Sequence, residues 1–218
     1  MSEITQQPST PPGTRLPRRE RERQLLDLAA ELFSERGYAG TSMDALAGRA
    51  GVTKPVIYNL FGSKAGLFAA CTSELGDRLF ETVSAAVAAG GAEVGELLRS
   101  GSLAFFSFIR ENAGLWIAAY GTGDATQNAS EQVAAELQEI RGRQNALVQT
   151  VIEAAAERIG VTLEPWQLEA TTRGLNGMYE GLAIWAIENP DVPVADLADW
   201  LVAVVLPGLQ TLGGPAAE

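Results

Sequence analysis

Lys54, Val56, Tyr58 and Asn59 place a cation, a small apolar group, a phenol and an amide within six residues. On a helix beginning near Lys54, Ile57 and Phe61 recur at i, i+4 and turn inward, which leaves those four groups outside. Such groups can reach a phosphate, a thymine methyl and a base edge. The stretch that carries them, TSMDALAGRAGVTKPVIYNLFGSK at 41–64, reads as two short helices joined at Gly51, with a further helix starting at its end. That is the layout of a helix-turn-helix, whose second helix enters the DNA major groove. Any three-helix bundle could carry a mixed surface, but the run G-V-T-K-P followed by Y-N and F-G-S-K argues against that plainer reading.

Three elements must hold this face in place. The first is a helix from Pro17, whose missing N–H costs nothing in a first turn. Leu25, Leu28, Ala29, Leu32 and Phe33 form its apolar stripe, and Gly37 supplies a left-handed stop with Tyr38 folding back beyond it. Thr41 is expected to cap the second helix, with Asp44 three residues on. Met43, Leu46, Ala47 and Ala50 line its inner face, and Val52 pins the turn. Thr53 caps the third helix, which ends at Gly62, and Ser63 caps a long fourth one.

Composition narrows the chemistry. The 218-residue chain has no histidine and one cysteine, Cys71. Ser-His-Asp and Cys-His nucleophilic sites are therefore excluded, and so are internal disulfides and Cys-based zinc sites. The many carboxylates form no recognisable catalytic pair, so neither an enzyme nor a cofactor or metal is expected. Net charge is −11, yet residues 1–64 hold nine Lys and Arg against seven acids, and the remainder seven against 20. A mildly basic end could face phosphates while the acidic part points away. The Arg15–Arg23 cluster could equally be a solvated helix start. Residues 1–16, polar and Pro-rich, are expected to be a disordered tail. No signal peptide or membrane span is expected, and a cytoplasmic location fits.

The residues at 33–47, FSERGYAGTSMDALA, and at 50–68, AGVTKPVIYNLFGSKAGLF, resemble the TetR family of bacterial transcriptional regulators. The resemblance runs from about Arg21 to Phe68. It implies an all-α fold, with an N-terminal three-helix DNA-binding bundle at 17–64 and a larger helical ligand-binding and dimerisation domain at 65–218. It also implies a recognition face made of Thr53, Lys54, Pro55, Tyr58 and Asn59, with phosphate contacts from Thr41, Ser42 and Lys64. The family often has Tyr and His where Asn59 and Leu60 stand here, and Leu60 cannot bond a phosphate. Asn59 could read an adenine edge or only touch a phosphate. A Glu is frequent where Gly66 sits, so the fourth helix is expected to start less firmly.

Beyond residue 75 the reading rests mainly on pattern. Helices are expected at about 63–89, 93–111, 113–120, 130–159, 164–189 and 194–212, with a polar break at 121–128. Phe105, Phe106, Phe108, Trp116, Tyr120, Trp166 and Met178 fall on inner helices. They are either plain core or the wall of a cavity for a neutral or cationic lipophilic ligand; Phe105, Phe108, Trp116, Tyr120 and Met178 are the candidates. Tyr179, Leu182 and Trp185 on one helix, with Trp200, Leu201 and Val204 on the next, would meet a symmetric copy as a four-helix interface. The expected protein is a homodimeric, ligand-responsive repressor that binds a palindromic operator in double-stranded DNA and is released by a small effector. The alternative is a DNA-binding regulator without an effector, controlled by a protein partner.

Overall fold

A computed structural model describes residues 17–121 and 131–212 of the chain. The proposed tail at 1–16 and most of the polar break at 121–128 lie outside the described residues. Among the described residues nine α-helices follow one another and no strand occurs. They are α1 (Arg18–Gly40), α2 (Met43–Ala50), α3 (Lys54–Phe61), α4 (Lys64–Ala89), α5 (Val94–Glu111), α6 (Ala113–Tyr120), α7 (Glu131–Arg158), α8 (Pro165–Glu188) and α9 (Val194–Leu212). The fold is all-α, a small N-terminal bundle joined to a larger helical body.

Local signals set these boundaries. Gly37 interrupts α1 at φ 67°, ψ 179°, a left-handed φ with an extended ψ. Gly51 ends α2 at φ 64°, ψ 34°, the left-handed conformation that glycine enters without penalty. Gly66 has a different reason to be glycine: a Cβ there would overlap the Phe61 carbonyl oxygen. The start of α4 is nonetheless firm, because Ser63 Oγ accepts from Gly66 N–H at 2.9 Å. Glu164 and Gln167 form a capping box at the start of α8, with Pro165 in its first turn.

Two hydrophobic cores result. The first joins Leu25, Leu32 and Phe33 of α1, Leu46 of α2 and Ile57 of α3 to Phe68 of α4 and to Leu115 and Trp116 of α6. Packing therefore continues across residue 64. Phe33, Tyr38 and Phe68 stack at its centre, with ring centroids 4.9 to 6.2 Å apart. The second core joins α5, α7, α8 and α9 through Leu97, Phe106, Ile152, Leu175, Leu197 and Leu201.

Two contacts fix how the parts sit. Arg110 of α5 donates to Ala186 O, Asn189 O and Val192 O, at 3.3, 3.1 and 2.5 Å. Its guanidinium thus caps the end of α8 and holds the turn into α9. Gly114 of α6 lies so near α1 that a Cβ would stand 2.7 Å from both Ser34 Cβ and Ser34 O. Among the described residues, α9 alone is long and apolar enough to cross a membrane by length and composition. It lies along α5 and buries Leu197, Leu201, Val205 and Leu209 while leaving Trp200 and Val204 exposed.

Gly114→Ala is expected to lower stability by about 1–3 kcal/mol, the usual cost of overpacking. The midpoint of thermal unfolding checks this; an unchanged midpoint would mean that α6 is not seated on α1.

Candidate nucleic-acid interface

The surface of α3 is held by α2 and α4 from behind. Ile57 is fully buried in the first core, and Leu60 and Phe61 are half-buried. Thr53, Lys54, Pro55, Val56, Tyr58 and Asn59 are exposed along one side, with Tyr58 at 45%. The inner and outer sets agree with the spacing of the sequence. Thr53 stands at the cap position of α3, but its side chain makes no capping hydrogen bond. Its hydroxyl is not spent on the helix.

Capping of α2 differs from expectation. Ser42 holds the cap position, and its Oγ accepts from Ala45 N–H at 3.2 Å. Its own proton remains free to donate. Thr41 is only 4% exposed, and its hydroxyl sits 2.8 Å from Gly37 O and 3.1 Å from Leu32 O. Those carbonyls belong to the end of α1, which Gly37 leaves short of backbone donors. Thr41 is therefore a tie between α1 and α2 and is not presented to a ligand, contrary to the expected phosphate contact.

The cations are already engaged. Lys54 Nζ lies 2.7 Å from Asp44 Oδ1, and that hydrogen bond raises the Lys54 pKa. The pair is exposed and links α2 to α3, so a phosphate would share an ammonium that stays charged. Lys64 is half-buried. Its Nζ donates to Ala39 O at 3.3 Å and stands 4.5 Å from the centre of the Tyr38 ring, and burial lowers its pKa. Arg49 bridges Glu31 and Glu35 of α1 at 3.1 and 3.3 Å.

A cavity of about 420 Å³ lies behind this bundle, among α4, α5, α6, α7 and α8. Phe105 and Trp116 line it, as expected. Phe108, Tyr120 and Met178 do not: Phe108 is buried in the first core, Tyr120 stacks behind Trp116 at 4.2 Å, and Met178 packs into the second core. Trp166 is exposed rather than inner. Sequence reasoning missed Phe80 and Val83 of α4, Ile152 of α7 and Tyr179 of α8, all on the wall. Helical periodicity marks an inward face but does not distinguish packed core from cavity lining.

The expected dimer residues also divide. Trp185, Trp200 and Val204 are exposed large apolar groups on α8 and α9. Leu201 is 1% exposed and belongs to the second core, and Leu182 is half-buried against it. Tyr179 faces the cavity instead, and its hydroxyl lies 2.7 Å from Ser102 Oγ. Burial raises the Tyr179 pKa, and the Ser102 hydrogen bond partly offsets the rise.

A short bundle that buries one side of α3 and leaves the other side polar and open defines a helix-turn-helix DNA-binding protein. Residues 25–71 match the family model described as bacterial regulatory proteins, tetR family. The chain is 43% identical over 101 residues to the HTH-type transcriptional activator FasR of Mycolicibacterium smegmatis, a match covering 46% of each chain. It thus spans about half the length of that curated relative. It is 31% identical to a TetR-like transcriptional regulator from Rhodococcus sp. RHA1, covering 89% of this chain and all of that one with a TM-score of 0.65. The fold is shared with FadR from Bacillus subtilis, solved in complex with stearoyl-CoA, at 17% identity and a TM-score of 0.69 over 85% of this chain and 98% of that one. The chain belongs to the TetR family of DNA-binding transcriptional regulators, which are not enzymes.

Tyr58→Ala is expected to weaken operator binding by about 1–3 kcal/mol with the melting curve unchanged. Thr41→Val should do the reverse, lowering stability by about 1–3 kcal/mol because the buried hydroxyl proton shared by Gly37 O and Leu32 O is lost. Gel shift and thermal melts on both variants separate the two roles. Unchanged operator affinity in Tyr58→Ala would remove that residue from the interface.

Proposed function

We propose that the protein is a homodimeric, effector-responsive repressor of transcription. Two copies of α3 would enter successive major grooves of a palindromic operator, about 34–36 Å apart. Tyr58, Asn59 and Pro55 would face bases. Thr53, Lys54, Ser42 and Lys64 would face phosphates, and the α4–α9 body at 65–218 would carry ligand binding and dimerisation. Thr41 has no part in this assignment.

The observation that carries the reading is the double position of α6. Trp116 lies on the cavity wall, and two residues earlier Gly114 presses on Ser34 of α1. An occupant that displaces Trp116 moves α6 against α1, which packs on α2 and α4, the two helices that hold α3. Operator affinity then changes by the ratio of ligand affinities for the two arrangements. The apolar wall, with Phe80, Val83, Leu97 and Ile152, favours a lipophilic occupant. The stearoyl-CoA complex of the FadR structure is consistent with such an occupant. This cavity counts against control by a protein partner alone.

Dimerisation is supported by Trp185, Trp200 and Val204, three large apolar side chains left open to solvent on adjacent helices. A two-fold axis through that face would bury the three against the same patch of the partner. A second reading of the regulatory sign, activation, is favoured by the name of the FasR relative. A reporter carrying the operator decides between them, since repression predicts higher expression when the gene is deleted.

Operator affinity is expected to fall on the order of 10²-fold between about 50 and about 200 mM salt, as the Lys54 and Lys64 contacts of the two subunits release counterions. A flat salt series in a fluorescence anisotropy titration would contradict the electrostatic docking. Trp200→Glu should yield monomers in analytical ultracentrifugation and cost about two orders of magnitude in operator affinity through lost avidity. A dimer with full affinity would place the interface elsewhere.

A further inference from the structure

The polar groups on the cavity wall, and Ser102 buried behind Tyr179, differ in what they still have to offer. Ser102 Oγ lies 2.7 Å from Leu98 O and 2.7 Å from Tyr179 Oη. A carbonyl oxygen can only accept, so the Ser102 proton goes to Leu98 O. The Tyr179 hydroxyl must then donate to Ser102 Oγ, which uses the single proton the phenol has. What Tyr179 retains for an occupant is its oxygen lone pairs. Glu180, the next residue of α8, is also on the wall, and its carboxylate oxygens are acceptors. Asn176 spends one of its two amide N–H donors on Asn145 Oδ1 at 2.5 Å and keeps the other. Trp116 Nε1 is an unpartnered donor, but the atom is fully buried and has no open space beside it.

We infer that the cavity takes a lipophilic ligand that brings a hydrogen-bond donor, a hydroxyl or a protonated amine, to Tyr179 Oη and the Glu180 carboxylate. The inference rests on the effector-cavity reading above and adds the polarity of the head group. The apolar body would lie along α4, whose wall residues run from Gly76 to Val87, about 16 Å at 1.5 Å per residue. A carboxylate head would face the Tyr179 oxygen and the carboxylates of Glu180 and Asp77 with one Asn176 N–H to oppose them, a costly arrangement away from water. A hydroxyl or an ammonium satisfies the same oxygens.

Calorimetric titration of the full chain with decanol, decylamine and decanoate tests this with one hydrocarbon length and three heads. Decanol and decylamine are expected to bind, with decanoate at least about tenfold weaker. Tyr179→Phe should weaken decanol about threefold to tenfold, and Glu180→Gln should weaken decylamine while sparing decanol, which tells the two head groups apart. Ser102→Ala keeps the phenol but releases its proton, so it should narrow the gap between decanol and decanoate; this variant decides the matter if Tyr179→Phe fails to fold. Decanoate binding as tightly as decanol to the wild type would overturn the proposal. So would decanol affinity that ignores Tyr179→Phe, or a decanol–decanoate gap that ignores Ser102→Ala. If none of the three binds to protein that still binds operator, the effector-cavity reading fails together with it.

Discussion

The crossing of α6 over α1 is the contact on which the rest depends. Gly114 has no side chain, and Ser34 fills the space where a Cβ would stand. The two helices therefore touch through backbone and a small hydroxymethyl group. Contacts of this kind do not yield by side-chain rotation, so movement of one helix must move the other. On the body side α6 carries Trp116, and on the DNA side α1 carries Leu25, Leu32 and Phe33, the floor of the helix-turn-helix. One continuous core thus reaches from the cavity wall to Ile57 beneath the exposed face of α3.

Around that axis the polar contacts serve position more than charge. Thr41 spends its hydroxyl on the end of α1, Lys64 lies over Tyr38, and Asp44 holds Lys54 between α2 and α3. An acidic chain can still face DNA in this arrangement, because the carboxylates nearest α3 are paired and most of the excess negative charge lies beyond residue 64. Arg110 performs the equivalent task at the far end, where it fixes the turn between the two helices that expose Trp185 and Trp200.

The N-terminal bundle was legible in the sequence because its signals are local. Gly51, Ser63, Pro55 and the spacing of Ile57 and Phe61 each act within a turn or two. Thr41 was misread because a threonine before a helix looks like a cap; only the fold shows that Gly37 leaves carbonyls of α1 within its reach, and that Ser42 caps instead. The body was legible as helices but not as a site. Tyr179 and Leu201 fall on the same apolar pattern as Trp185 and Trp200, yet the packing of α5 against α8 and α9 turns the first pair inward and the second pair out. Which aromatics border a void depends on tertiary spacing that no periodicity encodes.

The proposed link between cavity and recognition helix is tested most directly by filling the cavity without a ligand. Val151 is on its wall and half-buried, so Val151→Trp would occupy space that the effector is proposed to take. The account predicts that this variant keeps its thermal midpoint and dimeric state while operator affinity, read by fluorescence anisotropy, changes about tenfold. A folded, dimeric variant with its cavity filled and its operator affinity unchanged would contradict it.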